Sequence, residues 1–290
     1  MQKRGQVTIF IILGIVVLAV LAWLFFIKGD ILGTITGDER ADVFVASQVE
    51  PIKGLVDDCT RKQLVDSIIY VSRSGGYFDP PVGEEYCEGY TEDLECEETF
   101  LIAHSYVEGQ NRLVMLDKFA SELQDYMMEE ENLNRLKGCI NNGLNDFEDK
   151  GLSISNREFI LGVPEIGAEE VYQKVSFNPP LEIKKDDYVA TVNEVVASAN
   201  APLKRVQNVA ADITECYMGM SIPDNYNSYC EFEGSMITFN AGWYGVDILK
   251  DSDIMIGNMN NCNTECVDCY FIRFDVEEFE AEFNVLLKEC

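Results

Sequence analysis

The hydrophobic pattern changes character several times along the chain. Residues 7–27, VTIFIILGIVVLAVLAWLFFI, carry no charge and are polar only at Thr8. A helix of that length spans about 30 Å, one bilayer core. Val7 to Ile27 therefore predict a transmembrane helix. Lys3 and Arg4 precede it and Trp23 stands toward its far end, so the basic flank is expected in the cytoplasm and the bulk of the chain outside. Residues 29–46 predict a tether, broken by Gly29, Gly33 and Gly37 and acidic around Asp38, Glu39 and Asp42.

From residue 47 to 72 the period is helical. Val49, Ile52, Val56, Cys59, Gln63 and Asp66 follow one line, flanked by Leu55, Leu64, Val65, Ile68 and Ile69. Ser74-Gly75-Gly76 should stop this helix, and Asp79-Pro80-Pro81 should keep the next residues extended. Residues 82–99 hold eight acids, from Glu84 to Glu98, and predict a solvated loop pinched by Cys87 and Cys96. Helical spacing returns over 111–148 with Leu113, Leu116, Ala120, Leu123 and Met127. It breaks at Glu129-Glu130-Glu131 and resumes with Leu133, Leu136, Ile140, Leu144 and Phe147.

After Gly151 the period shortens. Leu152, Ile154, Phe159–Leu161, Val171, Lys174–Phe177 and Leu181–Ile183 predict strands. Lys184-Lys185-Asp186-Asp187 predicts a hairpin turn into Tyr188–Val196, and Pro179-Pro180 an edge or a bulge. Residues 201–217 predict a helix with Leu203, Val206, Val209, Ala210 and Ile213 inward; 228–256 and 270–276 predict strands, and 277–289 a short closing helix. The expected organisation is a leader and transmembrane helix (1–28), a tether (29–46), a mainly helical part with an acidic loop (47–150) and a mixed β/α part (151–290).

Charge narrows the possible partners. Three of the 22 basic residues, Lys3, Arg4 and Lys28, lie in the leader and none of the 51 acids do, leaving 19 bases against 51 acids beyond it, a formal charge of −32. That excess repels nucleic acid, whose binders set Lys and Arg against phosphate. With 47% hydrophobic residues the exported part has enough apolar side chains for a folded core. All ten cysteines (59, 87, 96, 139, 216, 230, 262, 266, 269 and 290) follow the membrane segment, where an oxidising space favours disulfides. Cys87–Cys96 and Cys216–Cys230 are candidate local loops, and Cys59–Cys139 a candidate tie between two helices, with the full connectivity left open.

Candidate chemistry is sparse. Cys262, Cys266 and Cys269 have the C-x3-C-x2-C spacing of the iron–sulfur loop of radical-SAM enzymes, but Asp268 stands where that family has an aromatic residue. Outside the cell these three and Cys290 read as disulfide partners, ahead of a zinc or iron–sulfur set. His104 is the single histidine, which removes a Ser–His or Cys–His pair, and it reads as a loop or surface residue. Crowded carboxylates at Glu92, Asp93 and Glu95 make a weak calcium candidate. Asp251-Ser-Asp253 fails the EF-hand template, because Met255, Ile256 and Cys262 occupy its fifth, sixth and twelfth positions. No P-loop, GxGxxG or GxSxG occurs, and no catalytic residue is assigned. Tyr226, Tyr229, Phe232, Phe239, Trp243 and Tyr244 are expected as core, with any exposed subset forming a contact surface.

The leader Lys3-Arg4-Gly5-Gln6-Val7-Thr8-Ile9-Phe10 resembles the class III signal peptide of archaeal type IV pilin-like proteins. The resemblance implies cleavage between Gly5 and Gln6 with the apolar segment kept as anchor or filament core. Phe10 departs from the Glu that many pilins place there, and the glycines after Lys28 interrupt the long rod of their first helix. Asp57-Asp58-Cys59, Gly75-Gly76-Tyr77 and Leu136-Lys137-Gly138-Cys139 also resemble, in order and kind, pieces of uncharacterised membrane-anchored surface proteins of small-genome archaea. The expectation is a disulfide-stapled extracellular α+β domain on a single-pass anchor, structural or adhesive in role, with other surface or pilin-like subunits as partners. The alternative is an anchored extracellular hydrolase or ligand-binding domain that uses carboxylates, with calcium.

Overall fold

The computed structural model describes residues 41–81, 83–90, 96–107, 110–219, 228–232, 235–239, 247–248, 254–258, 267–277 and 279–288. Val7–Ile27, the junction Gly5-Gln6 and residues 29–40 lie outside them. No helix among the described residues is long and apolar enough to cross a membrane.

The fold is α+β, and a long helix organises it. Helix α1 (Ala41–Arg73) is packed against two helices, α2 (Leu116–Met128) and α3 (Glu130–Glu148), and against strands of two sheets. It begins six residues before the expected start, so the last part of the predicted tether is helical. The cause is Val45, which is buried one turn before Val49 and two before Ile52 and extends their stripe toward the N-terminus. The helix stops where Ser74-Gly75-Gly76 was expected to stop it. The Gly75 N–H donates to the Ser72 carbonyl and the Gly76 N–H to that of Val71, both glycines having positive φ, which is the paired closure of a Schellman turn. Space is also short at Gly75: an added Cβ would lie 3.2 Å from the Ala103 oxygen and 3.3 Å from that of Asn284.

Helices α2 and α3 divide at the expected acidic triplet. Glu129 leaves helical geometry (φ −54°, ψ 139°), and its carboxylate accepts the N–H groups of Glu131 and Asn132, capping α3. Their inward stripes are those of the sequence, with Leu123, Met127, Leu136, Ile140 and Leu144 fully buried. A disulfide joins Cys59 on α1 to Cys139 on α3, across 80 residues. One turn further along α3, Gly143 lets the helices approach, since a Cβ there would overlap the Leu55 side chain.

The first sheet is built on β7 (Glu170–Lys185), whose partner along one edge is β8 (Tyr188–Asn200). Short strands β4 (Ser153–Ser155), β5 (Phe159–Leu161) and β6 (Glu165–Ile166) line β7 as well. The β7–β8 hairpin turns at Asp186, whose φ is +53°, as the Lys-Lys-Asp-Asp sequence predicts. Pro179 and Pro180 fall where the ladder slips between Ser176 and Leu181, so two residues without an N–H interrupt no pairing. Asn156 fills that gap by donating from Nδ2 to the Pro180 carbonyl at 3.1 Å.

The second sheet corrects three expectations. Its strand order is β1 (Gly83–Tyr90), β2 (Cys96–Val107), β14 (Phe279–Lys288), β13 (Val267–Val276), β12 (Ile254–Asn258) and β11 (Asp247–Ile248), with β3 (Gln110–Asn111) paired to β2. The acidic loop of 82–99 is thus largely the β1–β2 hairpin, and β1 is an outer strand, where charged residues discourage edge-to-edge pairing. The register sets Cys87 opposite Thr99 and Cys96 opposite Tyr90. His104 belongs to β2, opposite Leu286, and not to a loop. The closing helix of 277–289 is instead β14. Its Glu, Ala and Leu content suits a helix, but Ala281, Phe283 and Val285 alternate inward and ten register pairs with β13 decide the outcome.

Helix α4 (Leu203–Gly219) packs on β13 and β14 with its expected stripe buried. A separate ribbon pairs β9 (Ser228–Phe232) with β10 (Ser235–Phe239). One continuous hydrophobic core runs from Val45 on α1, through α2, α3 and β4–β8, to Val285 on β14. The mainly helical and mixed parts of the sequence therefore share a core.

Candidate interaction surface

Three helices bring residues of one spacing together near the C-terminal end of α1. Asp66 and Tyr70 on α1, Glu122 and Tyr126 on α2, and Glu131 and Arg135 on α3 are each four apart, so each pair occupies one helix face. The segment that leaves α1 after the glycine turn adds Tyr77 and Phe78. Tyr70, Phe78 and Tyr126 then form a closed aromatic group. Ring centroids are 6.0 Å apart for Tyr70–Phe78, 5.0 Å for Tyr70–Tyr126 and 5.8 Å for Phe78–Tyr126, the last pair edge-on at 88°. Phe78 and Tyr126 are half-buried against the core, whereas Tyr70 keeps 43% of its surface in solvent.

Glu122 positions the loop. Its carboxylate is buried, accepts the Phe78 N–H at 2.8 Å through Oε2, and meets Lys118 through Oε1. That hydrogen bond raises the Lys118 pKa above its ordinary value. Burial of a charged carboxylate is tolerated because both oxygens are engaged. Across the aromatic group, Arg135 bonds Glu131 at 3.2 Å and lies 4.0 Å from Asp66. Burial pushes the Asp66 carboxyl up, against the opposing pull of Lys62 and Arg135. Burial also raises the Tyr126 phenol, and the Asp66 charge adds to it. Chemically this arrangement offers ring faces bordered by fixed charges, a surface suited to contact.

The three sequence pieces singled out above converge on this layer: Cys59 and Cys139 bond, and the Gly-Gly-Tyr turn delivers Phe78 to Tyr126. The aromatic contact residues expected from sequence are others. Tyr226, Trp243 and Tyr244 lie outside the described residues, and the backbones of Tyr229, Phe232 and Phe239 belong to the β9–β10 ribbon. Tyr70, Phe78 and Tyr126 were missed; the available signal was Tyr126 beside the Leu123–Met127 stripe, four residues after an acid on the same face.

Glu92, Asp93 and Glu95, the calcium candidates, lie outside the described residues, as do Cys262, Cys266, Cys290, Asp251 and Asp253. Cys216, Cys230 and Cys269 fall in α4, β9 and β13. Among the described residues no group of three or more His, Cys, Asp or Glu could hold a metal ion. Comparison of the chain with protein-family models, with curated proteins and with solved structures gives no significant match.

Proposed function

We propose that the chain is a membrane-anchored, pilin-like cell-surface protein with a structural or adhesive role. In this reading Val7 to Ile27 span the bilayer, the leader is processed between Gly5 and Gln6, and the α+β domain faces the exterior. The observation that carries the adhesive part is the Tyr70–Phe78–Tyr126 group, a partly exposed aromatic surface on a helical layer stapled by Cys59–Cys139. Aromatic rings supply large contact area at low entropic cost, which is why they anchor interfaces. The disulfide supports placement in an oxidising space. Self-repelling acidity keeps such a domain soluble at high local density on a surface.

Protease added to intact cells is expected to remove the domain, and Tyr70→Ser is expected to weaken attachment of the cells to surfaces or to one another while costing about 1–2 kcal/mol of stability through its two ring contacts, too little to unfold the domain. A domain cleaved only after lysis would overturn the location. Unchanged attachment with Tyr70→Ser, in cells whose attachment depends on this chain, would overturn the role of the aromatic group.

A further inference from the structure

The other end of α1 carries an apolar patch of its own. Val43 is 57% exposed in the first turn, and Tyr188 and Val189, at the tip of the β7–β8 hairpin, are 45% and 49% exposed. The two elements meet there, because the Lys185 ammonium sits 3.8 Å from the centre of the Phe44 ring. In the hairpin register Lys185 faces Tyr188 across the ladder and Lys184 faces Val189, so each side of the tip pairs one apolar residue with one lysine. Lys184 and Lys185 are balanced by Asp186 and Asp187 in the turn, which leaves the tip without net charge.

The chain runs from the apolar segment through residues 29–40 directly into this patch. Only residues 29–40 separate Lys28, at the end of the apolar run, from Ala41, and whatever their conformation they reach at most about 45 Å. Tyr70, by contrast, stands 27 residues beyond Val43 along α1, about 40 Å by helical rise. The aromatic group and the hairpin tip therefore belong to opposite ends of the domain.

We infer that the β7–β8 hairpin tip and the first turn of α1 form a foot that rests in the lipid headgroup layer, holding the aromatic group away from the membrane. This rests on the reading of Val7–Ile27 as a bilayer anchor. Tyrosine settles at such interfaces with its ring in the apolar zone and its hydroxyl in water, and lysine lays its methylenes along the same boundary while its ammonium stays wet. Because the hairpin tip is uncharged overall, the first turn of α1 adds the acid Asp42 and the chain is strongly acidic, the contact is with zwitterionic lipid and needs no anionic headgroup.

The test places single tryptophans in the full chain. In bilayers of phosphatidylcholine brominated near the headgroup end of its acyl chains, Tyr188→Trp in a Trp23→Phe, Trp243→Phe background should lose most of its emission. Tyr70→Trp in the same background should lose none. The Trp243→Phe chain, which keeps Trp23, reports on the anchor itself. Quenching of Trp23 with an unquenched Tyr188→Trp overturns the foot and leaves the anchor standing. An unquenched Trp23 overturns the anchor, and the foot with it. Equal quenching at positions 70 and 188 overturns the orientation. If Tyr188→Trp fails to fold, Val189→Trp on the opposite side of the same tip gives the same reading.

Discussion

The two halves of α1 are held by different physics. From Ala41 to Val56 the fully buried positions are Val45, Ile52 and Val56, all apolar. From Cys59 onward Leu64, Val65, Ile68 and Val71 are interleaved with buried Thr60, Gln63, Ser67 and Ser72, and directional links appear. These are the bond to Cys139, the Asn284 amide donating to the Arg73 carbonyl at 2.7 Å, and the Ala103 N–H donating to the Ser74 carbonyl at 3.1 Å. Apolar burial is indifferent to small rotations of a helix, whereas covalent and hydrogen bonds have fixed partners. The first half is thus buried and the second half is registered, and registration is what a loop needs if it is to deliver Phe78 onto Tyr126.

Breaking the covalent link should have the largest effect. A Cys59→Ser, Cys139→Ser chain is expected to lose about 4.5 kcal/mol, the chain-entropy value for a loop of this size, measured by denaturant midpoint against the oxidised parent. Reduction of the parent should cost at least as much, because a reductant also opens any other disulfide among the ten cysteines. In the apolar half, Ile52→Ala removes a fully buried side chain and should cost about 3 kcal/mol, with the aromatic group left intact by near-ultraviolet circular dichroism. If that signal collapses as well, the two halves are not separable.

Glu122→Ala sharpens the contrast from the registered side. It strips the Phe78 N–H and Lys118 of their partner, at about 2 kcal/mol, and amide exchange at Phe78 should accelerate more than exchange in α1. Uniform acceleration would mean that Glu122 supports the core and not the loop.

The smallest effects are electrostatic and opposite in sign. The hydrogen bond from Arg157 holds the Glu148 carboxyl below its ordinary range, and the Ile154 N–H assists. The Glu148 contribution is therefore complete above its unfolded pKa and disappears as pH falls through the folded one. Glu148→Gln should destabilise at neutral pH by under about 1 kcal/mol, as for a partly exposed pair, and the difference should close on acidification. Asp66 runs the other way: burial raises its pKa, so its charged form weighs against the folded state at neutral pH and the penalty is relieved as pH falls through the folded value. Asp66→Asn should stabilise at neutral pH, with the gain shrinking in acid. Melting curves of both variants from neutral to acid check the two signs together.

Local chemistry alone determined a good deal of this protein. The glycine stop at 75–76, the break at Glu129, the Asp186 turn and the bulge at Pro179-Pro180 each follow from residues whose backbone preferences or capping ability act over a few positions. Helical periodicity over 47–72, 116–148 and 201–217 identified the inward stripes, because one apolar face must be buried wherever a helix meets a core, whereas Asn111 pairs in β3 and Leu113 precedes the helix. Cys59–Cys139 was among the pairs the sequence left open, and only the meeting of α1 with α3 selected it.

Tertiary structure decided the rest where local and distant forces disagree. Residues 279–288 favour a helix by composition and become a strand because β13 offers them a full ladder. Residues 83–90, acidic enough to read as a loop, become the outer strand β1 because β2 offers them a ladder. The aromatic group draws on positions 70, 78 and 126 of three different elements, and no spacing along the chain records that convergence. Sequence period shows which side of an element is buried; what that side meets depends on packing among elements far apart in the chain.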